Sequence, residues 1–304
     1  MSPRGAALCG ILLLDKPPGL SSNAALQRVR AHLGRPKAGH TGSLDPLATG
    51  MLPICIGEAT KLAGDLLAGI KAYTVELRLG ERTDTGDAAG EVVERCGVPA
   101  LSKDSIEAAL RGLRGPQQQI PPMYSALKRD GVPLYRLARR GLEVERAARS
   151  IEIYALELLQ FAADRVQLRV ECSKGTYVRT LVEQVGAGLG SCAYVSALRR
   201  DFVEPFRNEA MITLEALLQT AEPALIPADR AVAQLPPLRL SIAQARSISH
   251  GQQTLIEGAP HGRLRLYGDT GRFMGLGVST EPGQVRALRL FAQSGAPAVT
   301  DCSA

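Results

Sequence analysis

The sequence predicts an α+β protein, a mixed and largely antiparallel sheet followed by a small β-rich unit. Three observations carry that expectation. Residues 151–161 and 165–172 are strand-like runs close together in the chain. The second places Val166, Leu168, Val170 and Cys172 on one face and Gln167, Arg169 and Glu171 on the other, so the pair reads as an antiparallel hairpin. Helical stretches at 21–33 and 102–111 are interspersed with further strand-like runs at 10–15, 71–79 and 193–202. Finally, Gln234-Leu235-Pro236-Pro237 breaks the chain, and strand candidates at 263–267, 273–278 and 285–291 follow, separated by glycine-rich turns.

The composition agrees with this outline. A chain of 304 residues has room for two domains and a sizeable core, and its 45% hydrophobic content excludes disorder throughout. The formal net charge of +6 favours an anionic partner such as nucleic acid without naming it. The six cysteines, Cys9, Cys55, Cys96, Cys172, Cys192 and Cys302, show no zinc-ligand spacing and are expected to be thiols in a reducing compartment, not a disulfide framework. The apolar run 6–14 passes straight into Asp15-Lys16-Pro17-Pro18 with no small-residue cleavage site, so it is not read as a signal peptide. No stretch reaches membrane-spanning length, and a cytoplasmic protein is expected.

In chain order, residues 1–9 read as a loose leader, and the strand at 10–15 stops at Lys16-Pro17-Pro18-Gly19. Ser21 or Ser22 can cap a helix that puts Ala25, Val29 and Leu33 on one face and ends at Gly34. That helix delivers the chain to Gly39-His40-Thr41-Gly42-Ser43-Leu44-Asp45-Pro46-Leu47-Ala48-Thr49-Gly50, ahead of an apolar run that reads as a buried strand. Pro46 biases Asp45 toward an extended backbone, and the flanking glycines permit close approach by another molecule. Two readings of Asp45 follow: a carboxylate held out on a rigid ledge, or a turn residue bonding its own backbone. A phosphate loop is excluded because the Gly-Lys-Ser/Thr ending is absent.

Residues 58–67 have helical composition, and 71–79 alternate with Tyr73, Val75, Leu77 and Leu79 on one face, which by pattern alone makes Tyr73 a core residue. A polar turn follows at 82–87, a surface helix at 102–111 ends near Gly112, and Pro121-Pro122 ends any helix before it. Between 128 and 140, Arg136, Arg139 and Arg140 sit among Leu134, Leu137 and Ala138 at helical spacing, giving a basic amphipathic face. Ser173 or Thr176 can start a helix running toward Gly190, on which Arg179 would be a surface arginine, and Leu198 would be core. A polar helical stretch covers 213–225 before the break at 234–237.

The stretch from Gly39 to Gly50 resembles the catalytic motif of the bacterial tRNA pseudouridine-55 synthases, the TruB-type family, and the similarity runs from Gly10 to Phe206. The resemblance implies that Asp45 is the catalytic nucleophile. Tyr73, in Lys71-Ala72-Tyr73, matches a tyrosine that stacks on the target base, an interaction worth roughly 1 to 3 kcal/mol that suits an extruded base. Within Cys172-Ser173-Lys174-Gly175-Thr176-Tyr177-Val178-Arg179-Thr180-Leu181, Tyr177 would contact the flipped base and Arg179 would pair with the catalytic carboxylate. Leu198 of Leu198-Arg199-Arg200 would line the uridine pocket, His40 would hold the extruded nucleotide or its neighbours, and Lys16 would support the loop.

The same resemblance makes 10–235 a catalytic domain of pseudouridine synthase type, with an insertion at about 120–147 that clamps the tRNA T arm through Arg136, Arg139 and Arg140. Residues 236–292 would form a PUA-like RNA-binding domain and 293–304 a disordered tail. The implied reaction isomerises uridine 55 of the T loop by base flipping, in a monomeric protein that binds tRNA and uses no cofactor, no metal and no membrane. An RNA-binding folding factor is the competing class. It has little reason to place a carboxylate where phosphates approach, which the set Asp45, Tyr73, Tyr177 and Arg179 does. A metal-free hydrolase built on Asp45 lacks a second carboxylate or a histidine pair at recognisable spacing.

Overall fold

The computed structural model describes residues 8–292. The expected leader, up to residue 7, and the expected tail at 293–304 lie outside the described residues. The chain opens with β1 (Gly10–Lys16), and the Pro17-Pro18 stop hands over to α1 (Ser22–His32). Ser21 caps α1 by accepting a hydrogen bond from the Ala24 N–H, and Ala25, Leu26 and Val29 form its buried stripe. The short β2 (Ala38–His40) and β3 (Thr49–Ile56) flank the Asp45 loop. The expected helix at 58–67 is split into a 3-10 turn over Gly57–Leu62 and α2 (Ala63–Ala68). β4 (Lys71–Leu79) matches the alternating run to the residue.

A two-stranded flap, β5 (Glu81–Thr83) with β6 (Val92–Arg95), precedes α3 (Lys103–Arg111), which Ser102 and Ser105 close with a reciprocal capping box. β7 (Gly115–Gln119) leads into the insertion, where β8 (Lys128–Arg129), β9 (Val132–Pro133) and α4 (Leu134–Ala138) are all short. The basic helix expected here is thus a single turn, bounded by the positive-φ glycines Gly131 and Gly141, and Arg139 and Arg140 lie beyond it. The hairpin β10 (Arg149–Ala162) and β11 (Arg165–Cys172) is antiparallel as expected.

Then come α5 (Val178–Gly188), β12 (Ala193–Val203), β13 (Ile212–Thr213) and α6 (Leu214–Gln219). α6 is shorter than the 213–225 expected, ending ahead of Pro223, whose ring cannot continue a helix. α5 does not start at Ser173 or Thr176. Its N-cap is Tyr177, whose N–H is satisfied from a distance by the Gln119 side chain, at 2.8 Å to Oε1.

The main sheet has nine strands in the order β13-β1-β3-β12-β4-β11-β10-β7, with β2 on β3. The pairs β1/β13 and β3/β12 are parallel and the others antiparallel. β3 and β12 pair only at Thr49/Arg199 and Gly50/Arg200, so the sheet is thinly joined at this seam. Gly50 has φ +96, and a Cβ there would run into the Arg200 backbone, so only glycine permits the join. One face of the sheet packs on α1, α3 and α5 through Leu12, Leu52, Val75, Leu168, Val182 and Val195. The reverse face of β1 and β3 packs Ile11, Leu13 and Met51 against Leu62, Leu66 and Phe206. Each such fully buried aliphatic side chain contributes about 1.5 to 3 kcal/mol.

From Pro237 a second sheet forms, β14 (Pro237–Arg239), β15 (Thr254–Leu255), β16 (Gly262–Tyr267), β17 (Phe273–Glu281) and β18 (Gln284–Leu290), in the order β14-β16-β17-β18-β15. α7 (Ile242–Ser249) starts at Ser241 with a capping box to Gln244 and packs on this sheet around Ile248, Leu264, Leu266 and Val285.

The cysteine expectation needs correction. Cys96 and Cys192 form a disulfide, with Cα atoms 5.7 Å apart. The pair is 96 residues apart in sequence and is brought together because Gly80 bonds both neighbours, donating to the Cys192 carbonyl and accepting from the Cys96 N–H. Among the described residues, Cys9, Cys55 and Cys172 are free thiols, as expected. No helix among the described residues is long and apolar enough to cross a membrane.

Candidate active site

The Asp45 loop is fastened at three points before its carboxylate is considered. The buried Ser22 hydroxyl, at the start of α1, accepts from the Leu44 N–H at 2.7 Å and donates to the Leu44 carbonyl at 3.0 Å. Lys16, fully buried at the end of β1, donates its ammonium to the carbonyls of Pro17 at 2.8 Å, Leu20 at 2.7 Å and Pro46 at 3.4 Å. Burial lowers its pKa to about 8, although Asp45 pulls the other way. The Gly19 N–H also donates to the Pro46 carbonyl at 2.8 Å. Lys16 therefore holds backbone, as the sequence reading expected of it. Ser22→Ala would strand the buried Leu44 N–H, and the expected cost is about 1 to 3 kcal/mol of stability. A thermal melt of that variant, read with its turnover, checks this: a loop held mainly by other contacts would show neither loss.

So held, Asp45 presents its carboxylate to Arg179 on the first turn of α5, with Nε 2.9 Å from Oδ2 and Nη2 3.5 Å from Oδ1. The Arg179 side chain is 7% exposed and that of Asp45 40%, so the cation is sunk in the protein while the anion stays open to the cavity. Arg179 is not the surface arginine that pattern alone suggested. Its remaining donors meet the Thr85 carbonyl, at the tip of the β5–β6 flap, and the Tyr124 carbonyl, in the insertion, each at 2.7 Å. One guanidinium thereby ties three separate segments together at the carboxylate. Burial raises the Asp45 pKa above the ordinary aspartate range, with Arg179 and then Lys16 opposing it and Asp87 adding to it.

Asp45 and Arg179 open onto a cavity of about 390 Å³ walled also by Tyr73, Tyr177 and Leu198. Five of the residues singled out in the sequence thus converge. Tyr73 is at once a core residue, 8% exposed, as its strand pattern suggested, and part of this wall. Its phenol pKa is raised by burial and drawn back by Arg200. Tyr177 is placed by the Gln119 amide, which accepts from its N–H and donates to its carbonyl at 3.1 Å.

His40 is not among the residues walling the cavity. It sits half-buried on β2 opposite Ile54, its Nδ1 unpartnered, with burial and then Arg200 lowering its pKa. Arg136, Arg139 and Arg140 also lie off the cavity, all exposed on the insertion, with Arg139 stacked 5.7 Å over the Tyr135 ring. Sequence reasoning missed Lys71 and Arg200, two buried cations in the same wall. Strand periodicity could have found both, since each stands two residues from an identified wall residue, Tyr73 or Leu198. A second cavity of about 430 Å³, walled by Arg246, His250, Arg272 and Phe273, lies in the C-terminal unit. We place the site at the smaller one because the paired carboxylate and the two tyrosines converge there.

A nine-stranded mixed sheet carrying an arginine-paired aspartate at the mouth of a tyrosine-walled cavity is the arrangement of a pseudouridine synthase. Residues 30–178 match the TruB family pseudouridylate synthase N-terminal domain, 179–233 the tRNA pseudouridylate synthase B C-terminal domain, and 236–291 the pseudouridine synthase II TruB C-terminal domain. The chain is 49% identical over 295 residues to tRNA pseudouridine synthase B of Chromohalobacter salexigens, covering 95% of this chain and 96% of that one. It is likewise 49% identical over 294 residues to tRNA pseudouridine synthase B of Pseudomonas aeruginosa, covering 94% and 96%. Among solved structures, a Cbf5-Nop10-Gar1 complex superposes with a TM-score of 0.72 at 25% identity, covering 93% of this chain and 85% of that one. The chain belongs to the TruB family of pseudouridine synthases and is an isomerase.

Proposed function

We propose that this protein converts uridine 55, in the T loop of tRNA, to pseudouridine, acting alone and through Asp45. The observation that carries the reading is the Arg179-paired carboxylate of Asp45 at the mouth of a cavity walled by Tyr73, Tyr177 and Leu198. The uridine is extruded into that cavity and its base lies against the tyrosine faces. The N1–C1′ glycosidic bond breaks, the uracil turns, and a C5–C1′ bond forms. The C5 proton is lost and N1 gains one, so atoms balance and no electrons are exchanged. Asp45 acts as nucleophile: the bond its carboxylate forms to the ribose or the uracil is broken again by the time the C5–C1′ bond is complete, so the carboxylate is regenerated, and Arg179 keeps it ionised against the burial that raises its pKa.

His40, half-buried beside the loop, holds the extruded nucleotide or its neighbours. Residues 10–235 form the catalytic domain, 120–147 the clamp on the T arm, and 236–292 a PUA-like RNA-binding module. Arg136, Arg139 and Arg140, exposed on the clamp, contact phosphates. Replacing all three with Ala is expected to weaken tRNA binding and to lower the slope of log affinity against log salt by about 0.7 to 0.9 for each phosphate no longer neutralised. Filter binding across a salt series measures this, and an unchanged slope removes them from the interface.

The test of the function is base-resolved mapping of pseudouridine in an unmodified tRNA transcript incubated with the purified protein and nothing else. A single new pseudouridine at position 55 is expected. Binding without any pseudouridine would favour the RNA-folding factor instead.

A further inference from the structure

Arg200 is the largest fully buried side chain among the described residues, 1% exposed. Its acceptors are main-chain carbonyls: Nε donates to Met51 at 2.7 Å and Nη2 to Gly42 at 3.0 Å. Two carbonyls are poor compensation for removing a full charge from water, and a methionine could fill the same volume without that cost. The position of the head group supplies the reason. Arg200 stands directly opposite Tyr73 in the β12/β4 register, just ahead of the register shift between Arg200 and Phe202, and both residues wall the cavity beside Asp45. Nη1 of Arg200 is not among the donors to those carbonyls, and Arg200 is the cation that draws the Tyr73 phenol pKa back against the burial that raises it.

The chemistry of the two groups fixes the direction of a bond between them. A guanidinium has donors only, so the Tyr73 oxygen would accept and its phenolic hydrogen would be left for an acceptor in the cavity. Gly42 lies three residues before Asp45, so the same guanidinium grips the Asp45 loop. Gly42 has φ +90, and a Cβ there would already stand 3.4 Å from Nη1. Met51, its other acceptor, follows Gly50 on β3, at the seam where β3 and β12 join.

We propose that Arg200 is a positioning residue for the isomerisation: one buried guanidinium holds the Tyr73 hydroxyl as a hydrogen-bond donor toward the bound uridine and fixes the Asp45 loop relative to it. The proposal rests on the reading of Tyr73 and Asp45 as site residues and assigns them a common mount. The acceptor it implies is an oxygen of the flipped nucleotide, a uracil carbonyl or a ribose hydroxyl.

The test is a double-mutant cycle on single-turnover isomerisation, read by tritium release from tRNA labelled at uracil C5. Its corners are wild type, Arg200→Met, Tyr73→Phe and the pair, each checked for folding by thermal unfolding and for tRNA binding across salt. Arg200→Met is expected to slow turnover by about a hundredfold, the size of effect that a misplacement of about 1 Å produces. Affinity and salt slope should not change, because a guanidinium with 1% exposure meets no phosphate. The pair should be no slower than the slower single variant, since each change breaks the same contact. Arg200→Lys should recover part of the rate, because its ammonium can still donate to the Tyr73 oxygen. If Arg200→Met does not fold, Tyr73→Phe is read alone: loss of the hydroxyl is expected to slow turnover without changing tRNA affinity, and an unchanged rate overturns the contact.

Additive losses would overturn the coupling to Tyr73, and an unchanged rate in a folded Arg200→Met would overturn the role altogether. A reduced salt slope with normal turnover would make Arg200 a phosphate contact. Failure of the underlying reading looks different: turnover would then survive Asp45→Asn, whatever Arg200 does.

Discussion

Asp45→Asn is expected to abolish pseudouridine formation while tRNA affinity stays close to that of the wild type. The amide keeps the shape and hydrogen-bonding capacity of the carboxylate but cannot act as a nucleophile, so no covalent state can form. Binding has no reason to fall. The Asp45 side chain is open to the cavity, and removing its charge leaves Arg179 uncompensated, which makes the mouth more attractive to phosphates. In kinetic terms the interaction removed is one made only on the way to the transition state, so kcat falls and binding does not. Tritium release from C5-labelled tRNA, run beside filter binding of the same tRNA, separates the two. Substantial release by the Asn variant, after mass spectrometry has excluded deamidation to Asp, would take Asp45 out of catalysis.

What the sequence showed and what it hid divide along a physical line. β4 could be read to its end residues because alternation is a property of neighbours, and α1 and α3 because Ser21 and Ser102 announce their starts within three residues. α4 misled because spacing cannot see that Gly131 and Gly141 take positive φ and confine the helix to one turn. The start of α5 was misplaced for a different reason. The helix has no side-chain cap, and its N-cap residue Tyr177 is held through its own N–H by Gln119, 58 residues away, which no local pattern announces. The Cys96–Cys192 bond was invisible for the same reason, since it depends on two chain segments meeting at Gly80.

The site was legible mainly through the match to a known motif. Pattern alone left Tyr73 and Leu198 as core and Arg179 on the surface, because burial against a cavity and burial against protein look alike in periodicity. Arg200 shows what the match left out. It is adjacent to an arginine of opposite character: Arg199 points to the other face of β12 and pairs with Asp15 at 2.9 and 3.0 Å, whereas Arg200 faces the cavity wall. Period two, counted from Leu198, distinguishes them.

Arg179→Met carries the other large expected effect, and here the direction of the pH response is the discriminating readout. Arg179 is the nearest cation to Asp45, and it opposes the burial that raises the carboxyl's pKa. Without it that opposition is lost and the pKa rises further. At a given pH fewer molecules then carry the ionised nucleophile, so the acidic limb of kcat moves to higher pH. The plateau should fall as well, by about a hundredfold, because the Thr85 and Tyr124 carbonyls lose the donor that registers the flap and the insertion on the loop. Those two part-buried acceptors put the stability cost at about 1 to 3 kcal/mol. Arg179→Lys keeps a cation but not the fork, so it should restore the position of the acidic limb while leaving the plateau low. The measurement is kcat against pH for the three proteins at saturating tRNA. An acidic limb that stays in place in Arg179→Met would show that the guanidinium organises the site without setting the charge of Asp45.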